Sequence, residues 1–308
     1  MVDVPRALPD PPAPETLTPV ALVGAGALGT ALAQRLIDRG VAVSAVVSRT
    51  GTSAARVAQG LPGARFGTDL ALVADAPVVV LCVPDAALPG VARKLAETAG
   101  PWANRLVLHT SGVLPAAVLA PLAEAGAAVA SFHPAQAFAP GTPASAFEGV
   151  PVVLEGPPRA VAAGRLLART LGLHPVELPA GGKATYHLAL ALVSNYTVTL
   201  AALSTEVLGT LGIALPDALA LVRPLLDGTV QNLHRSLPER ALTGPIARGD
   251  VDTVARHLDV LQDALPHLVP VYAALATETV RVAVRGGRLA PDTADTLLAR
   301  LEDAVTEK

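Results

Sequence analysis

Val20-Ala21-Leu22-Val23-Gly24-Ala25-Gly26-Ala27-Leu28-Gly29 joins an unbroken apolar run to the pattern G-x-G-x-x-G. Four consecutive apolar residues suit a strand covered on both faces, as in a parallel sheet. A helical pattern follows over residues 30–39, stops at Gly40, and gives way to a second apolar run over residues 41–47. That strand–turn–helix–strand context is what gives the glycine pattern meaning. Gly24 permits the tight turn, Gly26 lets backbone approach a pyrophosphate, and Gly29 lets the helix pack on the sheet. The helix N-terminus then offers free N–H groups and a positive dipole to phosphate, and Ala27 and Leu28 of the turn are expected at the cofactor.

Further apolar runs occupy residues 78–83, 106–108, 127–130 and 150–154, with a weaker one at 175–178. Helical patterns lie between many of them, over residues 86–98 and 159–171 among others. Alternation of this kind predicts an α/β fold with a doubly wound, mostly parallel sheet. Beyond residue 178 the strand signal ends. One long helix is expected from Lys183 to about Leu211, a second from Pro216 to about Arg235, and three more starting near Asp250, Pro266 and Pro291. The expected organisation is a proline-rich mobile tail over residues 1–18, a nucleotide-binding domain over 19–178, and an all-helical domain over 179–308.

Composition narrows the functional classes. The 308 residues are 51% hydrophobic, 3% aromatic and 16% charged, enough for sizeable cores and unlike a disordered chain. The single cysteine, Cys82, excludes an intramolecular disulfide and a multi-cysteine metal site, and a reducing cytoplasm is expected. A net charge of −3 gives no footprint for nucleic acid. The most apolar helical stretch, over residues 187–203, carries Ser194, Asn195, Thr197 and Thr199. It is therefore expected to be a buried helix in a soluble protein, with no membrane partner. No basic segment followed by an apolar one opens the chain, so no secretory signal is expected.

The end of the second strand sorts the cofactor. An NAD site usually places Asp or Glu there, on the ribose 2′-hydroxyl. This chain has no acidic residue between Asp38 and Asp69 and carries Ser48-Arg49-Thr50 instead. Arg49 can pair with a 2′-phosphate and the two hydroxyls can hydrogen-bond it, which points to NADP. Three further strand ends are expected at the same sheet edge. Val83-Pro84 would pass under the nicotinamide half, His109-Thr110-Ser111-Gly112 would offer hydroxyl and N–H groups, and Ser131-Phe132-His133-Pro134 would end a third strand.

Of only three lysines, Lys183 opens the first long helix after Gly181-Gly182. His187 lies roughly 40° around the helix from it, Ser194 within about 20°, and Asn195 about 120° away. The loop Thr243-Gly244-Pro245-Ile246-Ala247-Arg248-Gly249-Asp250 offers Arg248 to an anionic group and Asp250 or Asp252 as a helix cap. No metal site is expected, since the seven histidines form no H-x-H pair or HExxH motif. The G-x-S-x-G elbow of many hydrolases is also missing.

Taken together, Gly24–Gly29, Ser131–Pro134, Tyr186-His187 with Ser194-Asn195, and Thr243–Asp250 resemble a bacterial group of Rossmann-like oxidoreductases. Its C-terminal helical domain has been catalogued as a domain of unknown function. The group is similar to the two-domain 6-phosphogluconate dehydrogenase, ketopantoate reductase and pyrroline-5-carboxylate reductase enzymes, and some relatives make ketopantoate reductases for pantothenate synthesis. The resemblance implies an NADPH-dependent reductase of a small carboxylate, ketopantoate first, with an imine reductase or a non-catalytic NADP-binding sensor as alternatives. It also implies a homodimer through the helical domain and an active site between domains. Ketopantoate reductases place a general-acid lysine where Lys183 stands, but an asparagine where this chain has His187. The expected proton donor is thus Lys183 or His187, with Asn195 and Ser111 orienting the carbonyl and His133, Ser194 and Arg248 on the substrate.

Overall fold

The computed structural model describes residues 17–306, which pack as two compact units, one up to Asn195 and one from Tyr196. In the first unit, strands and helices alternate as β1 (Val20–Val23), α1 (Ala27–Asp38), β2 (Val43–Val47), α2 (Gly51–Ala58), β3 (Arg65–Gly67), β4 (Val78–Leu81) and α3 (Leu88–Thr98). There follow β5 (Leu106–His109), α4 (Ala120–Glu124), β6 (Ala128–Pro134), β7 (Pro151–Glu155), α5 (Pro158–Thr170), β8 (His174–Glu177) and α6 (Lys183–Val193). The eight strands form one sheet in the order β3-β2-β1-β4-β5-β6-β7-β8. All neighbours are parallel except β6 and β7.

Both faces of the sheet are covered, and the side-chain period of two divides the strands between them. Val20 and Leu22 of β1, Val78 and Val80 of β4, and Leu106 and Leu108 of β5 enter one core, with α1 and α5. Ala21, Val23, Val79, Leu81 and Val107 enter the other, with α3 and Trp102. The chain order reverses between β1 and β4, so the crevice at their carboxyl ends is where a ligand settles in such sheets. The opposite edge is closed by Arg105. Its guanidinium donates to the carbonyls of Ala76, Ala99 and Val73 at 2.8, 2.7 and 2.6 Å and stacks over the Trp102 ring.

The second unit is all helical: α7 (Asn195–Gly209), α8 (Leu215–Arg235), the short α9 (Pro238–Ala241), α10 (Val251–Ala264), α11 (Val269–Arg285) and α12 (Pro291–Thr306). Its core joins α10, α11 and α12 through residues such as Leu258, Leu261, Ala276, Val280, Leu297 and Leu301.

Several expectations change. The long helix from Lys183 is divided at Ser194, a turn residue at φ −93 and ψ −68 that separates α6 from α7. The expected buried helix is not buried within the chain: Leu188, Leu192, Val193, Tyr196 and Val198 are all exposed. Hydropathy reports that a face needs cover without saying which molecule supplies it. The stretch Lys183–Gly209, of mean hydropathy 1.5, is long and apolar enough to cross a membrane by length and composition alone. The expected loop after Arg235 contains α9 and a single turn at Ile246–Arg248. Leu17, expected in the mobile tail, is packed in the sheet's core, while residues 1–16 of that tail lie outside the described residues. The elements α2 and β3 have little apolar signal because β3 is an exposed edge strand reading Arg-Phe-Gly.

Candidate active site

Steric closeness builds the glycine turn. Gly24 sits at φ +116, and a Cβ there would stand 2.3 Å from the Cys82 carbonyl oxygen. A Cβ on Gly29 would stand 2.1 Å from the Gly24 carbonyl oxygen. Gly26 differs, for nothing lies within 4 Å of where its Cβ would be. It faces open space at the start of α1, where Ala27, Leu28 and Gly29 begin a helix with no side-chain cap. Unpaired amides at a helix start beside an open, side-chain-free position fit a pyrophosphate. Cys82 lies beneath this turn, its thiol pushed up to about 12 by burial, so it is inert packing.

Beyond β2, Ser48 donates its N–H to Gly67, and the Thr50 hydroxyl accepts from Ser53 N as the cap of α2. Arg49 is exposed between them, at the β2 carboxyl end. A guanidinium flanked by hydroxyls and the first turn of α2 fits a phosphate dianion. Val83 and Pro84 follow β4 and lead into a turn at Asp85–Ala87.

The chemical centre lies where β5 and β6 meet the head of α6. Lys183 is 2% exposed, and its Nζ donates to the Ser111 carbonyl and the Ser131 hydroxyl, both at 2.7 Å. Burial lowers its pKa to about 8, against the opposing influence of Glu155 and Asp85. Glu155 is itself buried and accepts the Ala116 N–H at 2.6 Å. One helical turn beyond Lys183, the Tyr186 hydroxyl stands 2.7 Å from His133 Nδ1, with the rings edge to face. His187 is exposed, and its Cδ2 would lie 2.8 Å from a Cβ on Gly112, as His133 Nε2 would at 3.1 Å. Gly112 is the floor on which two imidazoles rest, and any side chain there displaces them. Burial, then the Lys183 charge, lowers both His109 and His133 to about 4, so both are neutral near pH 7.

The structure gathers Lys183, His187, His133 and Ser111 at one edge, with one change of role. The Ser111 hydroxyl accepts from the amides of Val113 and Leu114, shaping its own turn, and it is the Ser111 carbonyl that meets Lys183. The stretch Ser131–Pro134 ends β6 as expected, and its pairing with β7 keeps these four residues in the strand. Ser194 and Asn195 are exposed at the α6–α7 joint. Arg248 is exposed in the second unit at the end of its turn, and Asp250 caps α10 by accepting from Thr253. Ser131 and Tyr186 were absent from the expected site residues. Both stood in quoted motifs, but nothing in sequence spacing ties Tyr186 to His133 or Ser131 to Lys183. No cluster of metal-ligating side chains occurs among the described residues.

These features define a dinucleotide-binding Rossmann-type site. Residues 13–134 match the model of the Rossmann-like domain, and residues 150–279 match the domain of unknown function DUF2520. The chain is a Rossmann-like protein carrying a DUF2520 region. Comparison with curated proteins yields no match. Among solved structures, a Bacteroides fragilis protein assigned as an NADP oxidoreductase superimposes with a TM-score of 0.70 at 27% identity, over 86% of this chain and 99% of that one. A Thermotoga maritima protein gives 0.69 at 26% identity, over 87% and 99%. An imine reductase from Myxococcus stipitatus, solved with NADP+, gives 0.61 at 20% identity over 92% and 99%, a likeness of fold alone.

The two glycines separate folding from binding. Gly26→Ala should keep its melting temperature within about 3 °C yet raise the Kd for NADPH at least about tenfold, or ~1.4 kcal/mol. Gly29→Ala should lower stability outright, because its Cβ meets backbone. Equal melting losses in both variants would refute this division. A second expectation concerns acid. The unfolded histidine pKa is about 6.5 and the folded value of His109 about 4, so the unfolded chain binds more protons between them. Stability therefore falls as pH drops from about 6.5 towards 4. His109→Asn keeps an acceptor for Ser111 N and should flatten that limb of urea-midpoint data, by on the order of 2 kcal/mol. An unchanged slope would remove His109 as a cause.

Proposed function

We propose that this chain is an NADPH-dependent oxidoreductase that reduces the carbonyl of a small 2-oxo acid, with ketopantoate the first substrate to test. The cofactor is NADP(H), held by the Gly24–Gly29 turn with Arg49, Ser48 and Thr50 at the 2′-phosphate. When bound, it supplies the hydride. The observation that carries the reading is the buried Lys183 ammonium, fixed at 2.7 Å on Ser111 and Ser131 at the carboxyl edge of the sheet. A cation and neutral hydrogen-bond donors stabilise the negative charge that develops on a carbonyl oxygen during reduction. The same balance disfavours a cationic iminium. Glu155 accepts the Ala116 N–H, and its charge acts on Lys183 without outweighing the effect of burial. An anionic substrate also suits a site where His133, depressed first by burial, is depressed further by the Lys183 charge.

The test is NADPH oxidation against a panel of 2-oxo acids, ketones and cyclic imines. Turnover of 2-oxo acids at ten or more times the blank rate is expected. Turnover of imines alone would move the assignment to an imine reductase, and NADPH binding without any turnover would make the chain a sensor. Arg49→Ala should raise the Kd for NADPH about tenfold or more and leave that for NADH unchanged.

A second copy of the chain is the proposed cover for the apolar faces of α6, α7 and α8. Val198 and Leu225 are 71% and 72% exposed, and α7 buries no side chain within its own unit. Helices α7 and α8 also enclose an apolar groove lined by Val207, Leu208, Leu221 and Leu225. Lipid is disfavoured because the run starts at Lys183, which is fixed to the sheet edge, and carries polar residues at its middle. Light scattering in detergent-free buffer should give about twice the 31.1 kDa chain mass. Leu225→Asp should halve it. A monomeric wild-type chain would overturn the proposal.

A further inference from the structure

Resting on the reductase reading, we propose that Tyr186 hands the proton to the substrate oxygen, held in place by a hydrogen bond from His133 Nδ1. Lys183 is then a fixed charge behind the ring and not the group that gives up a proton.

Lys183 is badly placed as a direct donor. It is 2% exposed, and two of its three N–H groups are engaged with Ser111 and Ser131. Its Nζ lies 5.6 Å from the centre of the Tyr186 ring. Tyr186 is only half-buried, stands one helical turn further along α6, and ends within 2.7 Å of His133 Nδ1. His133 is carried by β6, so the phenol is fixed from two elements: its own helix and the sheet.

The protonation states favour a donating phenol. Burial raises Tyr186 to about 12, so it keeps its proton across the neutral range. His133, depressed by burial and then by Lys183 and His187, is a neutral imidazole with one proton to place. Its Nε2 lies close to Gly112 and its Nδ1 faces Tyr186. With that proton on Nδ1, His133 donates to the Tyr186 oxygen, and the phenol O–H is left free to face a substrate. The other titratable groups that act on this pair are the exposed His187 beside Gly112, the buried His109 and, through Lys183, Glu155 and Asp85.

The step balances. The nicotinamide, when bound, would supply a hydride to the carbonyl carbon, and the C=O π electrons would move to oxygen. The Tyr186 O–H bond breaks as the product O–H bond forms, leaving a phenolate. His133 Nδ1–H and the Lys183 charge stabilise that phenolate. After the product leaves, water returns a proton to Tyr186 and releases hydroxide. His133 is thus a positioning residue and Tyr186 the catalytic one.

Two measurements test this. In the cofactor-free protein with ¹⁵N-labelled histidine, the His133 resonance, assigned by its loss in His133→Asn, should show a proton on Nδ1 and should shift in Tyr186→Phe. A proton on Nε2 alone would mean that Tyr186 donates to His133 and would overturn the proposal without any assay. On the best substrate of the panel, Tyr186→Phe should lower kcat at least about 100-fold, the usual range for a lost general acid. KM and the Kd for NADPH should stay within about twofold. His133→Asn, which keeps a donor, should retain more kcat than His133→Leu. An active wild type with a Tyr186→Phe rate within threefold of it would overturn this inference alone. A wild type that reduces nothing overturns the function reading, and the orientation of the pair is still decided by the imidazole resonance.

Discussion

A buried ammonium organises the first unit of this protein. Removing a lysine from water costs several kcal/mol unless its N–H groups find partners in good geometry. Lys183 finds a backbone carbonyl on the β5 loop and a hydroxyl on β6, so the head of α6 is fixed against two strands at once. Any helix position that broke those bonds would leave a charge buried and unpaired. The orientation of Tyr186 and His187 follows, because they stand one turn along the same helix. The Lys183 charge also adds to burial, the larger cause, in depressing the pKa values of His109 and His133.

A steric constraint of another kind shapes the cofactor turn. Gly24 and Gly29 are demanded by backbone contact, whereas Gly26 is open. The three glycines of one motif therefore do different work, two holding strand, turn and helix together and one leaving room for a ligand. Cys82 completes the packing from below.

The fold was largely legible because it depends on local pattern. Apolar runs buried on both faces and the glycine turn marked β1, β2, β4 and β5 within a residue or two. The carboxyl-edge loops could be named as well, because the rule that ligands gather there needs only strand direction. Individual atoms were not legible. Ser111 was expected to act through its hydroxyl, which in fact closes its own turn on Val113 and Leu114. Tyr186 and His133 are 53 residues apart and meet only after the sheet has formed. The burial of α6 and α7 was misjudged because apolar composition states a need for cover, and a single chain does not meet it.

The one antiparallel pair in the sheet explains why the site lies where it does. Strand β6 pairs with β5 only from Ala128 to Ser131, the point where β5 ends at His109. A strand with only that neighbour would lose its ladder there. Because β7 runs the other way, its residues Val152 to Glu155 pair with Ser131 to Pro134 and hold β6 straight past the edge. That extension carries His133 out to Tyr186, and the same strand brings Glu155 to the side of the site, where its charge offsets that of Lys183. In a parallel β7 over the same span, Glu155 would lie opposite Pro134 instead of Ser131, whose hydroxyl meets the ammonium. The reversal of one strand thus sets the counter-charge of the lysine opposite the serine that holds it.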